Sequence, residues 1–360
     1  MRLLILEGDG IGPEIVGATL DLLAEVDAIF GLGFSFERMP IGFAALKERG
    51  TTLPPETVDA ARSAIGTILG PVSHNAYPPA AQGGINPSSV LRKSLDLYAN
   101  IRPARSRPEL PSACGKHLDL VIVRENTEGF YSDRVMFQGS GEFMPTPDIA
   151  LAMRKITRHG STRIAEAAFA QAIARPRRKV TCVHKANVLR VSDGLFLECA
   201  RSVAARFPMV AYDEQLVDSA ASLLIRDPKR FDVIVTTNMF GDILSDEASE
   251  LAGGLGLAAS LNVGDGHAVA QAQHGSAPDI AGMDIANPSS MIGSAAMLLA
   301  WLGKRHNNSS LTRAASAIDI ALDATLAEPS CRTPDLGGET GTRAFARAVA
   351  ERIAAAATLR

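Results

Sequence analysis

Cysteine is scarce in this 360-residue chain. Cys114, Cys182, Cys199 and Cys331 form no CxxC pair and no Cys/His zinc spacing, which excludes a zinc-finger module and a disulfide framework. Aromatic residues make up only 5%, too few for a platform that stacks bases or sugars. Neither sign of charge dominates: 36 Lys and Arg against 39 Asp and Glu leave a net charge of −3, without the basic excess that tracking a phosphate backbone requires. No run approaches the roughly 18 apolar residues of a membrane span. The start, MRLLILEGDGIGPE, passes from a short apolar run straight into charge, unlike a signal sequence. None of the seven histidines stands in HExxH, and His184 and His274 read equally well as satisfied structural residues. A soluble, cytoplasmic protein with neither nucleic-acid nor membrane partners is the expectation.

What is present is enough to fold. Hydrophobic residues reach 46% and charged residues 21%, far from the composition of disorder. At about 150 residues per domain the length predicts about two domains. Short apolar runs alternate with helical patterns, the signature of an α/β architecture. LLILEGDG, AIGTILGPV, LDLVIVREN, KVTCVHKAN, MVAYDEQ and FDVIVTTN read as strands, several of them apolar throughout because both faces are covered. DGLFLECARSVAARF reads as a helix with Leu195, Cys199 and Val203 on one face and Ser192 or Asp193 as N-cap. Residues 145–147 read as an irregular excursion before a helix over 150–172.

Four features carry chemistry. Gly8, Gly10 and Gly12 follow a strand, but their GxGxG spacing with Pro13 departs from the dinucleotide fingerprint, and a plain glycine turn is the better reading. Arg92, Arg102 and Arg124 fall at ends of strands or helices, and Arg124 follows four apolar residues. Its guanidinium is expected at the carboxyl end of a buried strand, where open α/β sheets bind ligands. Planar forks there suit carboxylates; structural ion pairs are the competing reading, weaker for the trio than for any one. In FDVIVTTNMFGDILSDEASE the strand is read as running to Asn238, with Gly241 at the turn. Asp242 and Asp246 then lie at i and i+4 on one helix face and repel unless a positive charge lies between them. A hard divalent cation, Mg²⁺ or Mn²⁺, answers that need, with Asp218 beside the buried stripe Val217, Ala221, Leu224 as a third ligand. A helix N-terminus with Asp242 favouring the dipole is an equal alternative. Lys185 and Tyr131, near cations and a metal, suit base and acid roles. Finally, the loop from His274 to Pro288 can bring backbone N–H groups to a phosphate or adenine, with Asp279 available to a ribose diol.

Together the motifs EGDGIGPE, LRKSLDLYANIRP, VRENTEGFY, HKANVL, NMFGDILSDEAS, HGSAPDIAG with ANP, and PDLGG resemble one family across essentially the whole chain. It is the β-decarboxylating dehydrogenases, comprising isopropylmalate, isocitrate, homoisocitrate and tartrate/malate dehydrogenases. The resemblance implies a two-domain α/β fold with a sheet shared across both domains, not a Rossmann fold. Residues 1–99 and 255–360 would form the cofactor-side domain. Residues 100–254 would form a central domain with the dimer contact. It further implies that Arg92, Arg102 and Arg124 hold malate carboxylates, and that Asp242 and Asp246, with Asp218 of a partner subunit, surround the metal. Lys185, also from the partner, would be the base and Tyr131 the acid, so a homodimer or tetramer would share its sites. Ile11, Asn187, His274, Gly275, Ser276, Ala277, Asp279, Ile280 and Asn287 match the cofactor positions. Asp279 followed by Ile280 resembles NAD-selective members, since a carboxylate repels a 2′-phosphate.

The substrate turns on the residues before Arg92. Asn86, Pro87, Ser88 and Ser89 stand where isopropylmalate enzymes put leucines, and burying hydroxyls against an isopropyl group leaves them unpaired. RGTTLPPETV, ANIRPARSRP and VRENTEGFYS look most like homoisocitrate and isocitrate members, although Ser89 removes an arginine that homoisocitrate enzymes carry. A 3-carboxyalkyl malate is the expected substrate, with isopropylmalate or a smaller 3-substituted malate as the alternative. Gln271, Ala272 and Gln273 stand where many relatives read Glu-Pro-Val. An inert regulatory subunit of an isocitrate dehydrogenase, and a plain nucleotide-binding protein built on GDGIG, are the other classes; the full residue set argues against the first.

Overall fold

A computed structural model describes residues 1–358 except 108, 132–135 and 137. Pro108 and Ser132, which close two of the motifs above, lie outside the described residues. The strands are β1 (Arg2–Leu6), β2 (Ser35–Arg38), β3 (Gly66–Leu69), β4 (Ala99–Arg105), β5 (Asp119–Glu125), β6 (Glu142–Thr146), β7 (Ile149–Ala152), β8 (Lys179–His184), β9 (Ala211–Leu216), β10 (Val233–Thr236), β11 (Leu261–Val263) and β12 (Ala268–Gln271). The helices are α1 (Gly12–Phe30), α2 (Gly42–Arg49), α3 (Pro55–Ser63), α4 (Pro87–Ser94), α5 (Arg158–Ile173), α6 (Ser192–Ala204), α7 (Val217–Arg226), α8 (Asn238–Ala252), α9 (Ser289–Arg305), α10 (Ser309–Ala327) and α11 (Thr342–Thr358).

The chain divides into two compact units: Met1–Asp96 with Arg107–Leu110 and Gly254–Arg360, and Leu97–Ser106 with Pro111–Gly253. The second unit opens at Leu97, ahead of the expected Asn100, because β4 begins at Ala99 and is kept whole. Ten strands belong to one large mixed sheet. In the first unit the order is β2-β1-β3-β12-β11, parallel except for the β11–β12 hairpin. In the second it is β4-β5-β10-β8-β9, parallel except for β4. An antiparallel strand beside parallel ones is not a Rossmann arrangement.

All six strands read from apolar runs form, and β1, β3 and β10 are buried almost throughout. The first unit's core joins α1, α9, α10 and α11 around Leu3, Ile5 and Ile68. The second unit's core joins Leu120, Ile122 and Ile234 to Leu224 of α7 and Leu244 of α8. Each such side chain contributes about 2 kcal/mol by leaving water. Among the described residues no helix is long and apolar enough to cross a membrane.

Four local expectations are corrected. Residues 142–152 form the antiparallel hairpin β6–β7 where an irregular excursion was expected. Helix α5 starts at Arg158 rather than 150, because Ala150–Ala152 belong to that hairpin and Thr157 caps the helix by accepting from Gly160 N at 3.0 Å. The N-cap of α6 is Val191, since the Asp193 carboxylate, fully buried, is engaged elsewhere. Gly241 lies within α8, not in a turn after a strand running to Asn238.

Candidate active site

In the second unit, strand register aims two arginines at one helix. Arg124 on β5 is paired with Asn100 on β4, and Arg102 lies two residues on, so all three point to the face that carries α8. Arg102 donates through Nη1 to Asp242 Oδ1 at 3.1 Å, Asp246 Oδ1 at 3.2 Å and Ser245 Oγ at 2.7 Å, and through Nε to Asn100 Oδ1 at 2.6 Å. Arg124 donates through Nε and Nη2 to Asn238 Oδ1 at 2.9 and 2.7 Å, through Nη2 to the Tyr131 hydroxyl at 2.9 Å, and through Nη1 to Asp242 Oδ1. Tyr131 in turn donates to Asp242 Oδ2 at 2.7 Å. Arg102, Arg124, Tyr131, Asp242 and Asp246, chosen from sequence, are therefore gathered into one network.

The positive charge expected between Asp242 and Asp246 is supplied in this chain by Arg102. Burial and the neighbouring Arg124 charge push its guanidinium down to about 10, against the pull of both aspartates, so it stays charged at neutral pH. The arginines are 7% and 2% exposed, whereas Asp242 and Asp246 are 37% and 52% exposed. The carboxylates therefore keep an open side. Gly241 is what lets the pieces approach: a Cβ there would lie 2.6 Å from Arg124 Cγ.

Lys185 and Asp218 are brought together in this chain, Nζ to Oδ1 at 2.5 Å, and the lysine holds the Asp218 carboxyl below its ordinary range. Among the described residues no three His, Cys, Asp or Glu of the one chain gather as metal ligands, so Asp218 does not join Asp242 and Asp246 here. The expectation assigned it to a partner subunit. Asn187 is exposed in the turn after Lys185.

Some organising residues escaped the sequence reading. Asp193 accepts from Lys185 N at 2.5 Å and pairs with Arg154, whose guanidinium lies over the Phe130 and Phe240 rings. Arg154 also donates to Thr237 Oγ1 at 2.9 Å, tying the lysine's backbone to the start of α8. Asn100 and Ser245 had a usable signal, the former two strand positions before Arg102 and the latter three helix positions after Asp242. His184 is satisfied: its Nδ1 accepts from Ala186 N at 3.0 Å.

In the first unit, the glycine turn and the loop after β12 lock together. Ile11 N donates to Ser276 O at 2.8 Å, the Ser73 and Ser276 hydroxyls are 2.7 Å apart, and a Cβ on Gly10 would meet Ser276 O at 2.0 Å. The glycine turn leads into α1 at Gly12. Beyond exposed Gly275, Ala277 adopts φ +35°, leaving Asp279 exposed and Ile280 against the core. Asn287 donates to Asp335 Oδ2 at 3.0 Å and accepts from Ser289 N at 2.9 Å. Ser88 and Ser89 are buried in the first turn of α4, capped by Asn86 accepting from Ser89 N at 3.2 Å, and Arg92 lies on the same helix. Ser88 Oγ and Arg92 Nη2 both donate to Gln271 Oε1, at 3.1 and 3.4 Å.

His274 pairs through Nδ1 with Gly275 O at 2.9 Å, while its Nε2 is buried and meets no hydrogen-bond partner among the described residues. Such an atom is one that a bound nucleotide can satisfy. Burial holds the imidazole below its ordinary value of 6.5. The unfolded chain then binds more protons below that pH, so this group's effect is nil above about 6.5 and destabilising as pH falls. The cofactor-free protein is expected to lose Tm between about pH 7.5 and pH 5.5, and His274→Asn, which keeps an N–H for Gly275 O, to lose less. Parallel scanning calorimetry checks this; equal losses would contradict it.

The family model described as isocitrate/isopropylmalate dehydrogenase matches residues 2–352. The chain is 45% identical over 353 residues to the isocitrate/homoisocitrate dehydrogenase of Thermus thermophilus, with 98% of each covered. It is 42% identical over 353 residues to the 3-isopropylmalate dehydrogenase of Methanothermobacter thermautotrophicus, again with 98% of each covered. The crystal structure of isocitrate dehydrogenase from Methylococcus capsulatus matches with a TM-score of 0.85 at 39% identity, over 98% of this chain and 99% of that one. Fold and chain-long similarity define the class, a decarboxylating dehydrogenase. The chain belongs to the isocitrate/isopropylmalate dehydrogenase family, as its motifs led us to expect.

Proposed function

We propose that this enzyme carries out NAD- and Mg²⁺- or Mn²⁺-dependent oxidative decarboxylation of a (2R)-3-substituted malate of the isocitrate or homoisocitrate type. The observation that carries the reading is the convergence of Arg102, Arg124 and Tyr131 on Asp242, with Asp246 sharing the Arg102 nitrogen. Paired, partly open carboxylates one helical turn apart are hard oxygen donors and fit a hard divalent cation. Asp242 and Asp246, with Asp218 of a partner subunit, would hold it. The cation, when bound, supplies positive charge that eases loss of the substrate hydroxyl proton and build-up of enolate charge, and NAD supplies the hydride acceptor.

The chain's own groups do the rest. Arg102 and Arg124, with Arg92, grip the substrate carboxylates; a partner's Lys185 takes the C2 hydroxyl proton. After carbon dioxide leaves, Tyr131 gives a proton to C3, its hydroxyl held by Arg124 as donor and Asp242 as acceptor. Ile11, Asn187, His274, Gly275, Ser276, Ala277, Ile280 and Asn287 receive the cofactor, and Asp279 selects the ribose diol of NAD over a 2′-phosphate. Sharing of Lys185 and Asp218 makes the homodimer the smallest active unit. This is supported by the hairpin β6–β7, every residue of which is exposed, including Phe143, Met144, Ile149 and Leu151. A lone two-stranded hairpin of this kind is marginal in water and gains by burying its apolar side chains.

Buried Ser88 and Ser89 favour a polar substituent over an isopropyl group. The absence of an arginine at Ser89 favours a substituent shorter than that of homoisocitrate, and keeps isopropylmalate or a smaller malate as the second reading. Reduction of NAD, followed by absorbance with Mg²⁺ and with isocitrate, homoisocitrate, isopropylmalate, malate and tartrate in parallel, tests this. Turnover is expected to be highest with isocitrate or homoisocitrate and to vanish on chelation by EDTA. No turnover with any of the five, or turnover that survives EDTA, would overturn the proposal.

A further inference from the structure

Asp9 stands between Gly8 and Gly10 in the glycine turn and is 6% exposed. Its Oδ1 accepts from Phe43 N at 2.8 Å, and its Oδ2 accepts from Ser73 N at 2.9 Å and from the Tyr77 hydroxyl. A buried carboxylate served by neutral donors is costly to keep, and each of those donors is costly to strand. Gly42 is what admits it: the residue adopts φ +67°, and a Cβ there would lie 2.3 Å from Asp9 Oδ1. The Tyr77 ring stands edge-on to Phe43, with centroids 5.1 Å apart. Burial and the neighbouring Asp9 carboxylate push the Tyr77 hydroxyl far above its ordinary range, so it remains a donor at any working pH.

These bonds fasten the near end of the segment that joins β3 to α4. Ser73 there places its hydroxyl 2.7 Å from that of Ser276, whose carbonyl accepts from Ile11 N at 2.8 Å. The far end is pinned separately by fully buried Thr52, whose Oγ1 donates to Ile85 O at 2.6 Å and accepts from Ile85 N at 2.7 Å, while its N–H donates to Gly83 O at 2.9 Å. One pin therefore serves the side that carries Ile11 and Ser276, matched to the cofactor. The other serves the start of α4, where Ser88, Ser89 and Arg92 lie. We propose that Asp9 is a positioning residue for the cofactor: through Ser73 N and the Tyr77 hydroxyl it holds the segment after β3 against the Ser276 loop, in the arrangement that receives NAD. The inference rests on the function proposed above and deepens it by naming the group that keeps the cofactor side assembled. With that latch released, the receptive arrangement is populated for only part of the time, and apparent affinity falls by the same fraction.

The test compares wild type, Asp9→Asn and Tyr77→Phe by calorimetric titration with NAD, by thermal unfolding, and by KM and kcat for NAD and for the best malate. Asp9→Asn keeps the volume but has one acceptor oxygen where the carboxylate has two, and is expected to raise Kd for NAD about ten-fold or more. Tyr77→Phe keeps the ring against Phe43, loses one donor, and is expected to raise Kd and KM for NAD about three-fold. For Tyr77→Phe, KM for the malate and kcat at saturating NAD are expected to stay within about two-fold, because Thr52 still pins the α4 end. Should Asp9→Asn fail to fold, Tyr77→Phe carries the test alone. A purely structural role lowers Tm and leaves Kd for NAD where it was; that result, or a Tyr77→Phe variant whose NAD and malate constants rise together, overturns the assignment. Wild type that binds no NAD overturns the functional reading itself, whereas wild type that binds NAD no better than either variant overturns only the role of Asp9.

Discussion

Arg124→Met is expected to cost about 3 kcal/mol of stability and at least about a thousand-fold in kcat/KM. The side chain it removes is 2% exposed and is a hub for three partners. Asn238 Oδ1, fully buried, would lose both of its donors, at 2.9 and 2.7 Å. Leaving a buried acceptor unsatisfied costs about 1–3 kcal/mol by itself, before the loss of the Asp242 ion pair is counted. The substrate loses a planar fork at the same moment, and every 1.4 kcal/mol of lost binding in the transition state is about ten-fold in rate. Arg124→Lys should fall between, since one ammonium group cannot reproduce donors to Asn238, Tyr131 and Asp242 together. Thermal unfolding and steady-state kinetics of the two variants measure both effects. A lysine variant equal to wild type would show that charge alone suffices.

Gly241→Ala runs against the usual rule for helices, and the direction follows from magnitudes. Within an α-helix alanine is favoured over glycine by about 1 kcal/mol. Here the added Cβ would lie 2.6 Å from Arg124 Cγ and 2.7 Å from its Cβ, on a side chain only 2% exposed and held by Asn238, Tyr131 and Asp242. Overpacking costs about 1–3 kcal/mol, so the balance is destabilising by about 1 kcal/mol. The larger effect is on turnover. Arg124 can make room only by moving off Asn238 and Asp242, and a displacement near 1 Å at a positioning group costs about a hundred-fold. Gly241→Ala is therefore expected to keep most of its stability while losing about two orders of magnitude in kcat/KM. A more stable variant with full activity would contradict the packing argument.

The second-unit site was legible to different depths. Asp242 and Asp246 could be paired from their i, i+4 spacing because helical periodicity is local, and Arg124 could be placed at a strand end because four apolar residues precede it. Their contacts could not be read. The positive charge between the two aspartates is Arg102, which lies 140 residues from Asp242 in sequence, and no local pattern encodes that pairing. Asp193 looked like an N-cap by residue type, and its burial against Arg154 is a consequence of packing. Strands β4 and β12 were missed as strands because arginines, prolines and short length break the apolar run, although one carries Arg102 and the other ends at Gln271. The hairpin β6–β7 was missed because its apolar side chains face outward, giving no buried stripe to detect.

By itself the sequence determined the α/β class, the six strands of the apolar runs, the family and the set of residues from which a site can be built. Those depend on composition, short-range periodicity and motifs whose order along the chain is preserved. Only the tertiary structure decided which of those residues meet within one chain. It set Arg102 between two carboxylates, gave Gly241 the task of admitting Arg124, and paired Lys185 with Asp218. Strand register and helix docking fix these meetings, and both arise from burying apolar faces contributed by distant segments, a condition the whole chain satisfies at once and no stretch of it states alone.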